Sequence, residues 1–262
     1  MKNSLHCGRF QLPLDGEGVL PLVMGILNVT PDSFSDGGRF ASLDAALYAA
    51  EQMIADGVDI IDIGGESSRP GAQPLSLDQE LERVMPLVYA LRDCGKPLSV
   101  DTYKPDVMCE VLGAGVDMIN DINGFRAEGA LNAVKDSDCA LCIMHMLGSP
   151  ATMQIEPCYG DVVAEVEAFL LERIAQCEAA GIARQRLCID PGFGFGKTVV
   201  HNLALLKRLD RLAGHGIPVL AGLSRKSTIG ALTGRPVEQR LAGSLAAVLA
   251  AVSHGARIVR VH

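Results

Sequence analysis

The sequence predicts an α/β fold, a (β/α)8 TIM barrel in a single domain spanning residues 1–262, on three observations. Short β-branched runs, apolar on both faces, alternate along the chain with stretches of helical periodicity. Eight such runs fit into 262 residues, an ordinary size for that barrel. No Gly-x-Gly-x-x-Gly turn follows the first run, where an open doubly wound sheet would be expected to carry one.

The strand runs are 22–27, 60–63, 98–100, 118–120, 141–144, 187–189, 219–221 and 258–261. Helical segments fall between them at 44–55, 78–91, 105–112, 161–180, 203–212 and 237–253. The clearest is 161–180: Val162, Val166, Phe169, Leu170, Ile174 and Cys177 recur near 3.6 spacing, and Gly181 follows as a C-cap. Leu77-Asp78 and residues 102–105 read as helix starts, with Asp or Thr as caps and Pro105 in a first turn. The last strand ends at His262, so the helix that would cover it is expected to be missing.

Composition narrows the function. The 23 basic and 31 acidic residues leave a net charge of −8, against a general nucleic-acid binder. Absence of Trp and 4% aromatics argue against base-stacking platforms and membrane-interface belts. The apolar stretch 241–252 is shorter than the roughly 20 residues a membrane helix needs. The polar start has no leader pattern, and the eight cysteines read as reduced thiols packed in the core of a cytoplasmic protein. Cys139 and Cys142 would point to opposite faces of a strand, which disfavours a metal or redox pair.

Polar residues collect where the strands end, the end at which such barrels carry their sites. The first run leads into Asn28 and a loop with Phe34 and Asp36, the second into Ser68, Arg69 and Pro70. Asp101, Asn120 with Asp121, and His145 end the next three. Asp190 ends the sixth and opens a glycine-rich loop through Phe195 to Lys197; Lys226 follows the seventh, and Arg260 and His262 end the eighth. Charge at a barrel mouth needs a partner or a ligand, which favours functional roles for Asp190, Lys226 and Arg260. By contrast, Asp101 also suits a helix cap and Asp121 a loop cap, His145 reads as a core histidine and Lys197 as a solvated loop lysine. Gly196-Lys197-Thr198 is not a P-loop, because Pro191 stands where its first glycine belongs; the glycines read as room for a flat ligand. Arg69, Lys226, Arg260 and His262 suit an anion such as diphosphate, and Asp101, Asn120 and Asp190 suit the edge of a heterocycle. No His/Cys cluster has metal-ligand spacing, but Asn28 could give one oxygen to a phosphate-bound Mg²⁺.

Residues 24–38, Met-Gly-Ile-Leu-Asn-Val-Thr-Pro-Asp-Ser-Phe-Ser-Asp-Gly-Gly, closely resemble the first signature of the bacterial dihydropteroate synthases. Residues 62–71, Asp-Ile-Gly-Gly-Glu-Ser-Ser-Arg-Pro-Gly, resemble the second, and the later strand ends match in order. Ser68 stands where Thr is frequent, which removes one methyl and keeps the hydroxyl. The resemblance implies a homodimeric, Mg²⁺-assisted transferase of folate biosynthesis. Such an enzyme condenses 6-hydroxymethyl-7,8-dihydropterin diphosphate with p-aminobenzoate, by dissociative substitution, and sulfonamides compete for its p-aminobenzoate site. It also implies roles for residues. Asp101, Asn120, Asp190, Lys226 and Arg260 would hold the pterin. Asn28, Arg69, Arg260 and His262 would hold diphosphate, with Asn28 also toward the metal. Phe34, Ser68, Pro70, Phe195 and Lys226 would frame p-aminobenzoate, while Asp101, Asp190, Lys226 and Asp36 would carry catalysis. The alternatives are a corrinoid-linked pterin methyltransferase and a non-catalytic pterin-binding homologue.

Overall fold

The computed structural model describes residues 4–16, 18–29, 38–69 and 71–262, with side chains from residue 43 onward in the first helix. Eight parallel strands close into a barrel: β3 (Leu22–Asn28), β4 (Ile60–Gly64), β5 (Leu98–Asp101), β6 (Met118–Asp121), β7 (Ala140–Met144), β8 (Leu187–Asp190), β9 (Val219–Ala221) and β10 (Ala256–Val261). β10 returns to pair with β3, with Arg260 opposite Met24, so no strand edge is left open. All eight expected strands are present, most of them a residue longer than their apolar runs.

Nine α-helices lie among the described residues: α1 (Gly38–Ala55), α2 (Leu77–Leu91), α3 (Pro105–Gly113), α4 (Ala130–Val134), α5 (Val162–Ala179), α6 (Val199–Lys207), α7 (Leu209–Ala213), α8 (Ser227–Thr233) and α9 (Leu241–Ser253). Their starts differ from expectation. Ser76 caps α2, its side chain accepting from Gln79 N while Gln79 closes the box. Lys104 precedes α3 without a side-chain cap, so neither Asp101 nor Thr102 serves as one; Pro105 does open that helix. Residues 203–212 break into α6 and α7, and 237–239 form a 3-10 turn ahead of α9. No described helix is long and apolar enough to cross a membrane.

An element absent from the sequence reading sits at the far end. β1 (Ser4–Cys7) and β2 (Phe10–Pro13) form an antiparallel hairpin. Leu5, Cys7 and Leu14 pack with the inward side chains Met24, Ile60, Met118, Cys142, Cys188, Leu220 and Ile258. Gly8 N–H donates to the Asp138 carbonyl and Arg9 pairs with Asp117 at 2.9 Å, both acceptors lying just before strands β7 and β6. The hairpin therefore closes the end of the barrel where the strands begin. The larger core lies outside the barrel wall, between strands and helices.

The eight cysteines are all free; five are buried, whereas Cys109 and Cys158 are exposed, outside the core packing expected of the set. Cys142 and Cys188 are cross-strand partners pointing into the barrel, while Cys139 precedes β7 and packs outside it.

Candidate active site

Side chains alternate along a strand, so every second residue points into the barrel. Following the inward positions from bottom to top, Ile60 gives way to Asp62, Ser99 to Asp101, Met118 to Asn120, Cys188 to Asp190, and Ile258 to Arg260. On four of these five strands one step of two residues leads from an apolar floor to a polar mouth; on β5 the lower residue, Ser99, is itself polar. This periodicity brings the expected residues together.

Arg260 holds the centre. Its Nε donates to Asp62 Oδ2 at 2.6 Å and one terminal nitrogen donates to Asp101 Oδ2 at 2.8 Å. Asn120 Nδ2 donates to the same Asp62 oxygen at 3.2 Å. Burial alone would lower the Arg260 pKa, but the Asp62 and Asp101 carboxylates outweigh it and hold the guanidinium charged. Asp101 is pushed up to about 7, first by burial and then by Asp62, Asp121 and Glu80, against the pull of Arg260. Asp62 was not singled out in the sequence, although its place two residues beyond the inward Ile60 was the available signal. Its Oδ1, fully buried, has no hydrogen-bond partner, and neither has the Oγ of its cross-strand neighbour Ser99.

On the opposite wall stand Asp190 and Lys226. Asp190 accepts from Gly192 N–H at 2.7 Å through Oδ1. Burial raises its pKa against the pull of Lys226, that amide, Arg260 and Lys197. Lys226 is lowered to about 8, mainly by burial, with Asp190 opposing. Its Nζ donates to the Phe193 carbonyl and lies 4.7 Å from the centre of the Phe195 ring. A methyl carbon on Gly222 would stand 3.8 Å from Asp190 Oδ2, 3.8 Å from Lys226 Nζ and 3.9 Å from Arg260 Cβ. The floor of the polar mouth is thus open because position 222 has no side chain. An apolar wall of Ile122, Met144, Met146 and Met153, with Tyr103 and Phe195 against it, borders the space.

The remaining positions fall around this centre. Asn28 ends β3, and its Oδ1 would lie 3.1 Å from a Cβ on Gly64, so glycine there leaves room for the amide. The His262 ring nitrogen Nδ1 lies 3.3 Å from Ser224 Oγ. Its pKa falls to about 4 through partial burial and the combined field of Arg260, Arg225, Arg69 and Lys226. Four cations bearing on one imidazole mark a place suited to an anion. Ser68 is partly buried and Arg69 exposed on the segment after β4. Phe34, Asp36 and Pro70 lie outside the described residues.

Two expectations change and two hold. Lys197 is not a solvated lysine: it is 3% exposed, and its Nζ donates to His145 Nδ1 at 2.9 Å. Burial lowers its pKa to about 7. The loop glycines do not open toward a ligand alone, since a Cβ on Gly192 would strike the His145 carbonyl at 1.9 Å. His145 is a buried, structurally engaged histidine, its pKa lowered to about 3 by burial with Lys197 and Arg126. Asp121 caps its own loop, accepting from Asn123 and Phe125 N–H at 2.6 and 2.7 Å. A cluster that has no signal in the local sequence stands behind the site. Lys104 bridges Glu66 and Glu80, and Tyr103 donates to Glu66 at 2.7 Å, tying the segment after β4 to α2 and α3.

Known proteins share this arrangement. The profile of the pterin binding enzymes matches residues 24–262. Dihydropteroate synthase of Haemophilus influenzae is 52% identical over 246 residues, 93% of this chain and 89% of that protein. The chain belongs to the dihydropteroate synthase family. Two solved synthases superpose closely. One, from Burkholderia cenocepacia and complexed with 7,8-dihydropteroate, has a TM-score of 0.89 at 54% identity, covering 100% of this chain and 91% of that one. The other, from Xanthomonas albilineans with 4-aminobenzoic acid, has a TM-score of 0.93 at 50% identity, covering 100% and 93%.

Proposed function

We propose that this chain condenses 6-hydroxymethyl-7,8-dihydropterin diphosphate with p-aminobenzoate, giving 7,8-dihydropteroate and diphosphate. The observation that carries the reading is the convergence of Asp190, Lys226 and Arg260 over Gly222, beside the cationic field at His262. One side offers the acceptors and donors a pterin edge needs, and the other suits a leaving diphosphate. In this reading Asp190 accepts from the ring N–H and 2-amino group, Asn120 and Asp101 meet the other ring edge, and Lys226 donates to the carbonyl side. Arg260, with Asn28, Arg69 and His262, takes the diphosphate.

The reaction breaks the bond from the pterin methylene to oxygen and forms one from carbon to nitrogen. The oxygen leaves with the electron pair on diphosphate, and the amine surrenders a proton after attack. The fixed carboxylates Asp101 and Asp190 oppose the positive charge that develops on the pterin as the bond loosens, while the cations stabilise the departing anion. The arylamine is already nucleophilic, so positioning rather than a strong base supplies much of the rate. Phe195, Ser68 and Lys226, with Phe34 and Pro70, would frame the aminobenzoate, and Asp36 would order the first loop. Sulfonamides, which mimic p-aminobenzoate, would compete there.

Mg²⁺ fits the donor set as a guest of the diphosphate. Asn28 presents one hard oxygen beside Gly64, and the described residues contain no group of three or more metal ligands. When bound, the ion would draw charge from the leaving group. A homodimer is consistent with α9, where Leu241, Leu245 and Leu249 form an apolar stripe 70%, 56% and 69% exposed. The free thiols accord with a cytoplasmic setting.

The decisive measurement is diphosphate release that requires p-aminobenzoate. Asp190→Asn should weaken pterin binding by about 100-fold, because a buried bidentate acceptor becomes a mixed donor and acceptor. Pterin binding without turnover would instead point to the non-catalytic homologue, and methyl transfer to a corrinoid to the methyltransferase.

A further inference from the structure

The loop between β8 and α6 is held in an unusual way. Gly192, Gly194 and Gly196 all have positive φ, at 67°, 83° and 64°, so the chain cannot run as strand or helix there. Five consecutive carbonyls nevertheless each meet a side-chain donor. Lys197 Nζ donates to Gly192 and Phe195 oxygens, both at 3.0 Å. Lys226 takes the Phe193 oxygen and Gln154 the Gly194 oxygen. Tyr159 donates to the Gly196 oxygen at 2.8 Å. The loop also lies flat on the segment after β7: a Cβ on Gly196 would stand 2.7 Å from Leu147 Cβ, as that on Gly192 would strike His145.

Lys197 is the buried pin of this arrangement. An ammonium has three N–H donors, and three close acceptors surround this one: His145 Nδ1, the Gly192 oxygen and the Phe195 oxygen. Its hydrogen-bonding capacity is therefore taken up by the protein, which suits a group that holds rather than one that reacts. What it holds is Phe195, whose ring packs under Lys226, and the turn that carries the Phe193 carbonyl to the same ammonium. Asp101, Asn120 and Arg260 stand on other strands, where Arg260 bonds Asp62 and Asp101 and Asn120 bonds Asp62.

We propose that Lys197 is a positioning residue for the arylamine half of the reaction, setting the Phe195 wall by pinning this loop to the segment after β7. The proposal rests on the reaction proposed above. It predicts a larger loss for p-aminobenzoate than for the pterin. Phe195 hangs on the pin directly, whereas Asp101, Asn120 and Arg260 stand on β5, β6 and β10, and Asp190 and Lys226 meet the loop only through the Gly192 amide and the Phe193 carbonyl.

The test compares the intact chain with Lys197→Met, which keeps the length of the side chain and removes its donors. Gln154→Ala combined with Tyr159→Phe releases the same loop from its more exposed side. Diphosphate release gives KM for each substrate, and calorimetry gives the Kd of pterin diphosphate alone. Lys197→Met should raise KM for p-aminobenzoate roughly tenfold or more while pterin Kd stays within about threefold. The double variant should move the same constant by about threefold. If Lys197→Met fails to fold, the double variant decides alone. Equal rises in both substrate constants, as general loosening would give, or no change in either, would overturn the proposal. An unmodified chain that binds pterin diphosphate yet never releases diphosphate with p-aminobenzoate would remove the reaction and this proposal together, an outcome distinct from a failed split.

Discussion

The two ends of the barrel are built from the same strands, two residues apart, and differ in almost every property. At the bottom, Met24, Ile60, Met118, Cys142, Cys188, Leu220 and Ile258 pack together beneath the hairpin. At the mouth, Asp62, Asp101, Asn120, Asp190 and Arg260 crowd together, with Arg260 bonded to Asp62 and Asp101 and Asn120 bonded to Asp62. The bottom gains from removing apolar surface from water. The mouth must offset the desolvation of its charges with hydrogen bonds and ion pairs. The bottom thereby serves stability alone, whereas the mouth serves chemistry and must also stay paired to remain stable, so substitutions at the bottom should leave the chemistry untouched.

The largest expected effect comes from filling the mouth. Gly222→Ala should be tolerated, since a Cβ makes only ordinary contacts there. Gly222→Leu should abolish measurable pterin binding by calorimetry, a loss of about 100-fold or more, while circular dichroism stays native. A Leu variant that still binds would mean the ligand does not sit over Gly222.

Next comes Asp62→Asn, which leaves Arg260 Nε without its charged partner. Removing one side of a buried pair costs about 3–5 kcal/mol. Both melting temperature and pterin affinity should fall, the affinity by roughly tenfold or more. A variant that keeps both would show that Asp101 alone positions Arg260.

The pH profile should show a smaller effect. Asp101 is raised to about 7, so its carboxylate forms, and kcat/KM should rise, as pH passes upward through about 7. Lys226, lowered to about 8, loses its proton above that value and activity should fall. Asp101→Asn should remove the rising limb. The stability linkage has the opposite slope: the folded chain keeps the Asp101 proton that the unfolded chain loses near its ordinary pKa, so this group favours the fold most at acid pH and loses that contribution as pH rises from about 4 to about 7. A flat profile in the wild type would detach Asp101 from catalysis.

The smallest effect on activity belongs to the bottom. Leu5→Ala, at a fully buried site, should cost about 2–5 kcal/mol in denaturant unfolding and leave both KM values unchanged. A shift in KM would break the separation of the two layers.

The barrel itself was legible because parallel strands covered on both faces read as short apolar runs, and eight of them announce closure. The gathering of Asp101, Asn120, Asp190, Lys226 and Arg260 was legible because all five sit at the same end of that alternation. Asp62 was missed because it lies inside its run, and only the inward phase of β4 reveals where it points. Lys197 was misread because its partners, His145 and two carbonyls, depend on the path of a glycine loop that local sequence does not specify. The hairpin escaped notice because a polar start gives little periodicity, and its few apolar residues, Leu5, Cys7 and Leu14, find their partners far along the chain.

That hairpin has a consequence for how the chain comes together. It seats against Asp117, Asp138 and the 3-10 turn Arg184–Arg186, which follow it far along the chain and so emerge later in synthesis. Until β6, β7 and β8 stand side by side there is no ring for it to plug. The hairpin can therefore seat only after those strands have assembled, and a bulky group introduced at its turn would interfere with closing the bottom of the barrel rather than with the active site.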